Sequence, residues 1–419
     1  MPEKVFASII TIGDELLIGQ VIDTNSAWIA TELNKIGILL RHRIAVGDQA
    51  DDIRAALTAE GKRASIVIIT GGLGPTADDI TKPVLCEFFG GKMVTHEPTL
   101  QHIEYIFKEV LKRPMIERNI KQAEVPDVCE VLLNERGTAP GMLFQQEGVW
   151  YFSLPGVPHE MKWLMTEKVL PRLQEHFSAG VVAHRTMLTA GVGESFLAEM
   201  IADLENNLPA HIKLAYLPNY GMVRLRLSGW GTDKTTLEKE IVHHFELFKE
   251  RVAKHLIIDE DIPLDKAVGQ LLIKKNATVT TAESCTGGYI AHLLTSHAGS
   301  SAYYKGSIIC YDNQIKTKLL GVTESSLQEH GAVSASTVEQ MASAARQLME
   351  ADYAIAVSGI MGPGGATSEK PIGLVWIAVA TPKGVTSQEM RFRFDRKRNI
   401  ELTAAHTLRL LYTAIVDNK

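Results

Sequence analysis

From residue 4 to about residue 170, apolar runs of strand length alternate with stretches of helical spacing. VFASIITIG, ILLRHRIAV and ASIVIIT read as strands, while TNSAWIATELNKIG and ADDIRAALTAEGKR carry apolar residues three or four apart. Continuous apolar strands alternating with helices predict a parallel sheet covered on both faces. This block is expected to be an open α/β domain that takes its ligand at the carboxyl ends of its strands.

The pattern changes between about 180 and 256. AHRTMLTAGV, the helical SFLAEMIADLENN, IKLAYLP, the alternating MVRLRLSGW and a final helix TTLEKEIVHHFELFKERVAKH give the order β-α-β-β-α. One alternating strand predicts a small α+β module with helices on one sheet face, read as a spacer or dimerisation module. From about 261 the α/β pattern returns: strand ATVTTA, helix CTGGYIAHLLTSH, strand SAYYKGSIICY, helix STVEQMASAARQLMEA, strands ADYAIAVSG and GLVWIAVAT, and a last helix from about Asn399 to Ala414. The expected division is 1–170, 171–256 and 257–419, with α/β domains at both ends.

Composition narrows the ligands. A net charge of −6 gives no basic field of the kind that drives sequence-independent binding to nucleic acid, so small metabolites are favoured and no direct contact with nucleic acid is predicted. The four cysteines, Cys86, Cys129, Cys285 and Cys310, have no C-x-x-C spacing, which fits a reducing cytoplasm and neither a disulfide framework nor a structural zinc site. The opening apolar run is broken by Gly13, Asp14 and Glu15, and no run reaches membrane-spanning length, so neither export nor membrane insertion is expected.

In the first block, TGGLGPTADD (70 to 79) places Gly71, Gly72 and Gly74 after a buried strand, where backbone amides can turn toward phosphate. Asp78 and Asp79 are expected to begin the next helix, where a carboxylate either caps the helix or binds a divalent metal. Asp14 and Glu15 in TIGDELLIG, Asp48 in VGD, and the loops GTAPGM and LPGVPHEM fall on the same expected rim. For Asp14, Asn25 and Glu160 a structural or supporting role weighs at least as much as direct contact.

In the last block, AESCTGG (282 to 288) offers Ser284, Cys285 and Thr286. A buried free cysteine behaves as a small hydrophobe, and Cys285 has no evident activating cation. His292 and His297 lie along or beyond the expected helix, poorly placed to serve its start. That leaves Ser284 with a lysine. Lys316 in YDNQIK follows a buried strand; taken alone it reads as a solvated helix lysine, yet desolvation would lower its pKa enough for a base.

The set GDELLIG, DTN, TGGLGPTADDIT, APGM and LPGVPHEM resembles the molybdopterin-binding-type domain. AESCTGG, GSIICYDNQIK, GAVSAST, SGIMGPGG and KPIGLVW resemble the nicotinamide mononucleotide deamidase domain. Both in this order, joined by a small module, are similar to full-length members of the CinA (competence/damage-inducible) family. The resemblance implies an N-terminal hydrolysis of ADP-ribose to AMP and ribose 5-phosphate. It assigns reaction-centre positions to Asp48 and Asp79, metal positions to Asp79, Asp78 and Glu15 for magnesium or cobalt with potassium assisting, and phosphate-binding amides to Gly71, Gly72 and Gly74.

For the C-terminal domain the resemblance implies a Ser/Lys amidohydrolase without cofactor, with Ser284 as nucleophile and Lys316 as base. Amides at Cys285, Thr286 and Gly287 are suited to the oxyanion. Tyr311 either orients the dyad or stacks on the pyridinium ring, or only packs. The loop around Gly364 offers amides to ribose or phosphate, and Arg396 is a bidentate phosphate donor. Family members commonly carry G-D-R before the last helix; here Phe394 replaces the glycine, and the second arginine position falls on Ile400, which raises Arg398 as a substitute. The expectations are a homodimer acting on nicotinamide mononucleotide and ADP-ribose or, alternatively, a nucleotide-binding adaptor for DNA uptake or repair proteins.

Overall fold

The computed structural model describes residues 4–177, 180–219 and 221–417. The chain divides into two compact units: Met1–His184 with Leu208–Lys213 and Leu227–Phe245, and Arg185–Asn207 with Leu214–Arg226 and Glu246–Lys419.

In the first unit, strands β1 (Phe6–Ile12), β2 (Leu39–Val46) and β3 (Ile66–Thr70) precede a short pair, β4 (Met93–Thr95) with β5 (Glu124–Pro126), and then β6 (Glu130–Leu132), β7 (Gly141–Gln146) and β8 (Val149–Leu154). The main sheet runs β2-β1-β3-β8-β7-β6. Its first four strands are parallel, as the pattern predicts, whereas β7 and β6 add an antiparallel edge. The reversal is local: Glu147 and Gly148 both have positive φ, 51° and 80°, the signature of a two-residue hairpin turn.

Both faces of β1 and β3 are covered, and the residues alternate accordingly. Ile9, Ile66 and Ile68 join Ile29 and Leu33 of the helix Thr24–Lys35 in one core. Ile10, Val67 and Ile69 join Ile53 and Leu57 of the helix Ala50–Gly61 in the other. Because β1, β2, β3 and β8 are parallel, the loops holding Asp14, Asp48, the glycines of TGGLGP and LPGVPHEM share one sheet edge.

The middle residues form β9 (Val181–Ala190), β10 (Ile212–Asn219), β11 (Met222–Gly231) and β12 (Leu256–Ile258), ordered β10-β11-β9-β12, with helices Glu194–Asn206 and Lys234–Arg251.

The last sheet, in the second unit, comprises β13 (Val279–Glu283), β14 (Tyr304–Ile309), β15 (Tyr353–Gly359), β16 (Leu374–Thr381) and β17 (Gly384–Arg391), ordered β14-β13-β15-β16-β17. β13 is parallel to both neighbours; β16 and β17 are antiparallel additions. β17 is not foreseen from sequence, because its segment GVTSQEMR is largely exposed and polar. One face of β15 carries Tyr353, Ile355 and Val357 toward the C-terminal helix residues Leu408 and Leu411. The other carries Ala354 and Ala356, small enough for Met341 and Ala342 of the helix Ala335–Leu348 to approach closely.

Two helix starts in the second unit differ from expectation. The helix after AESCTGG begins only at Tyr289, because Gly287 and Gly288 take left-handed φ of 61° and 97°. The C-terminal helix begins at Arg396, before Asn399, with the Asp395 carboxylate accepting the Arg398 amide at 3.0 Å. No helix among the described residues is long and apolar enough to cross a membrane.

Candidate functional site

The rim of the first sheet encloses a cavity of about 460 Å³, bordered by Glu15, Asn25, Gly72, Gly74, Asp79 and Glu160 among others. Its glycine loop is set by close approach: a Cβ on Gly71 would stand 2.2 Å from the Ile12 carbonyl, and one on Gly72 2.1 Å from Thr81 Oγ1. Only glycine fits there. Asn25 donates to the Gly156 carbonyl at 2.6 Å and leaves a buried Oδ1 without a partner among the described residues. Burial pushes the Glu160 carboxyl up, while Asn134 donates to it at 2.6 Å.

Asp78 and Asp79 do not begin a helix; the helix starts at Thr81. The Asp79 carboxylate instead accepts the amides of Gly74 at 2.8 Å and Thr76 at 2.9 Å and the Thr76 hydroxyl. The turn therefore folds around this side chain before helical hydrogen bonding begins. Asp48 lies off the cavity wall, in reciprocal contact with Asp14: each amide donates to the other's carboxylate, at 3.0 and 3.1 Å. Burial raises the Asp48 pKa, and the neighbouring charges that raise it further, Asp14, Glu15 and Asp78, are all acidic.

The expected metal trio Glu15, Asp78 and Asp79 is not drawn together. Among the described residues no group of three or more His, Cys, Asp or Glu is placed to hold one ion. A metal caged by this chain alone does not fit. A magnesium-like ion, held by one or two carboxylates and by a ligand's phosphate oxygens, does fit the acidic rim where Asp14, Glu15 and Asp78 all act on Asp48. Lys82, unremarked in the sequence, is buried beside this site. It donates to the carbonyls of Gln122 at 2.7 Å and Glu124 at 3.1 Å, and burial brings its pKa down to about 8.

In the second unit, Ser284 follows β13 directly, with its amide on the Val357 carbonyl at 3.1 Å and 8% of its surface exposed. Since Glu283 pairs with Ile309 in β14, the segment Cys310-Tyr311 leaves the sheet beside the serine. Lys316, one turn into the helix Asn313–Leu320, folds back there; it is 1% exposed and donates to the Tyr311 carbonyl at 3.2 Å. Burial lowers its pKa, with partial opposition from Cys310, Asp312 and Cys285. No hydrogen bond joins Ser284 Oγ to Lys316 Nζ among the described residues. Burial pushes the Cys285 thiol up to about 12 and the Cys310 thiol up to about 11, which keeps both protonated near neutrality. His297 is engaged with Asp265 at 2.5 Å.

The turn amides are unequal. The Gly287 amide donates to the Ser284 carbonyl at 3.2 Å, whereas those of Cys285 and Thr286 have no partner residue among the described residues. The Thr286 hydroxyl is turned inward onto Glu283 at 2.7 Å, which leaves its amide as the group open to a ligand. Arg396 bridges the Gly362 carbonyl at 3.0 Å and the exposed Tyr311 hydroxyl at 2.9 Å. Gly364 is exposed, with open space where a Cβ would lie. The Arg398 guanidinium lies over the Phe394 ring at 5.9 Å, while Ile400 borders an apolar recess with Tyr289 and Arg396. Glu283 escaped the sequence reading; the available signal was an acid at the buried end of a strand, just before a helix whose first amides lack partners.

Three family models cover most of the chain. "Probable molybdopterin binding domain" matches residues 8–175, "Damage-inducible protein CinA KH domain" residues 184–257, and "CinA C-terminal domain" residues 261–415. A CinA-like protein of Cytophaga hutchinsonii is 47% identical over 419 residues, covering 100% of both chains, and one of Flavobacterium psychrophilum is 43% identical over 413 residues, covering 98% of this chain and 99% of that protein. The crystal structure of competence/damage inducible protein CihA from Agrobacterium tumefaciens is 38% identical and covers 38% of this chain and 99% of its own, with a TM-score of 0.35. At this identity over its full length, the chain belongs to the CinA family.

Proposed function

We propose that this protein is a bifunctional hydrolase of pyridine-nucleotide salvage, with a C-terminal Ser/Lys amidohydrolase that converts nicotinamide mononucleotide to nicotinate mononucleotide and ammonia. The observation that carries this reading is Lys316: a buried helix lysine with a lowered pKa, hydrogen-bonded to the Tyr311 carbonyl just beyond the end of β14, the strand that pairs with the one leading into Ser284. A neutral amine there takes the serine proton as Oγ attacks the carboxamide carbon and returns it to the leaving ammonia as the C–N bond breaks; water then cleaves the acyl-serine ester, releasing nicotinate mononucleotide and restoring Ser284. The free amides of Cys285 and Thr286 receive the oxyanion, and Arg396 with the Gly364 loop takes the phosphate. Because the base must be neutral, kcat rises with pH through the lowered Lys316 pKa. Incubating the protein with nicotinamide mononucleotide and measuring ammonia tests the reading, with ammonia release that needs no added metal as the expected result.

The N-terminal cavity is proposed to cleave ADP-ribose to AMP and ribose 5-phosphate. A divalent ion, magnesium or cobalt with potassium assisting, would neutralise the phosphoryl oxygens; Glu15, Asp78 and Asp79 are the chain's candidates to hold it in ones or twos. Of the three glycine amides, that of Gly72 alone is left to meet the pyrophosphate among the described residues, since Gly71 donates to the Leu154 carbonyl and Gly74 to Asp79; Asp48, whose pKa is raised, would accept a proton from the attacking water. Asp79→Asn is expected to abolish metal-dependent AMP production and leave ammonia release intact, since Ser284 and Lys316 belong to the other compact unit. Loss of both activities in the folded variant would refute their independence.

The alternative is a nucleotide-binding adaptor for DNA uptake or repair proteins, and the KH match raises the separate question of nucleic-acid contact by the middle module. KH domains clamp nucleic acid with a G-x-x-G loop, and residues 184–257 contain no G-x-x-G. For this module we keep a spacer or dimerisation role. A homodimer is proposed, and light scattering at micromolar concentration checks it: a monomer would end that proposal.

A further inference from the structure

We infer that Glu283 is a positioning residue for the Ser284 site: its buried carboxylate gathers the donors that follow the serine and fixes the two open turn amides. This rests on the deamidase reading above.

Glu283 is 1% exposed, and five donors converge on it. Oε2 accepts the Thr286 hydroxyl at 2.7 Å and the amides of Gly288 at 3.0 Å and Ile290 at 3.1 Å. Oε1 accepts the Ala291 amide at 2.8 Å and the Thr281 hydroxyl at 3.2 Å. The contacts to Gly288, Ile290 and Ala291 satisfy amides at the start of the helix Tyr289–Thr295. Such an arrangement suits a carboxylate, which only accepts; an amide in its place would face at least one of these N–H groups with a hydrogen of its own.

The loop 284–286 is thereby closed on a single residue. At one end the Glu283 backbone is fixed in β13 between Ile309 and Val357. At the other, Thr286 returns to the Glu283 side chain. The segment between carries Ser284 and the Cys285 and Thr286 amides. Charge-assisted hydrogen bonds in a buried setting are stronger than neutral ones, so the carboxylate holds this short segment more tightly than the amides' own turn bonds would.

The test compares wild type with Glu283→Gln in the full chain. The folded variant is expected to show amide exchange at Gly288, Ile290 and Ala291 faster by about tenfold or more, as expected when roughly one net hydrogen bond is lost, with β13 and β15 unaffected. Its kcat for ammonia release should fall on the order of 10²-fold, the scale of losing an oxyanion donor, with KM little changed. Unchanged exchange, unchanged kcat, or a change in KM alone overturns the inference.

If wild type releases no ammonia, the deamidase reading fails by itself. Labelling of Ser284 by diisopropyl fluorophosphate, which exchanges fluoride for the serine oxygen, then decides the inference. Slower labelling in Glu283→Gln upholds it, while equal rates, or an unreactive wild-type serine, overturn it. Should Glu283→Gln not fold, Thr286→Val removes one of the five donors and should lower kcat about tenfold, the worth of one hydrogen bond. No loss in that variant overturns the inference as well.

Discussion

Ser284→Ala is expected to reduce ammonia release from nicotinamide mononucleotide by about 10⁴-fold or more, the scale seen when a hydrolase loses its nucleophile. Cys285→Ala, one residue away, should leave kcat nearly unchanged. The two side chains differ in environment. The Cys285 thiol is buried and pushed up to about 12, so the thiolate, its only effective nucleophile, is scarce at neutral pH. Ser284 needs no ionised ground state, only a base for its proton as the bond forms. Cys285 belongs to the apolar core that also holds Ile290 and Val357, so its replacement costs packing, about 1 kcal/mol, and a few degrees in Tm. Measuring kcat and thermal unfolding on both variants separates the roles. A dead, folded Cys285→Ala with an active Ser284→Ala would reverse the assignment.

Lys316→Arg should be nearly as inactive as Lys316→Ala, each losing about 10² to 10⁴-fold in kcat, the range for removal of a general base. Arginine preserves charge but stays protonated above about pH 12, so it cannot accept the serine proton. It must also fit where Lys316 is almost wholly enclosed and bonded to the Tyr311 carbonyl at 3.2 Å; the kinetics are therefore read on protein shown to be folded. If Lys316 served only as a fixed cation for the substrate phosphate, arginine would retain turnover and the change would fall on KM. A Lys316→Arg enzyme within about tenfold of wild type, well short of the general-base loss, removes Lys316 as base. The pH profile gives a second check. Burial lowers the Lys316 pKa, so the neutral, active form is gained as pH rises through that value and lost below it.

The alternation of apolar strands and helices, the glycine turn at 71–74 and the AESCTGG and YDNQIK segments were all legible in the sequence. Each depends on neighbours within a few positions: a period of two or of three to four, a glycine pair, an acid beside a turn. The parallel pairing of β1, β2 and β3 follows from the same alternation, and with it the shared rim of Asp14, Asp48 and the glycine loop, whereas β8 enters the sheet through a hairpin that the alternation does not foresee. The exposed strand β17 was not legible, because a polar edge strand buries too little to leave a pattern.

Only the tertiary structure decided which hydrogen-bonding groups remain open. Asp78 and Asp79 are expected together at a helix start, yet Asp79 turns back into the glycine loop. The amides of Thr286 and Gly287 look equally suited to an oxyanion, yet Gly287 gives its hydrogen to the Ser284 carbonyl. Glu283 becomes prominent only when five donors from both sides of it converge. Lys316 resembles any helix lysine until the sheet encloses it. In every case local spacing selects the element, which short-range backbone preferences control. The burial and pairing of a polar group depend instead on segments distant in the chain, and a low dielectric makes that pairing decisive.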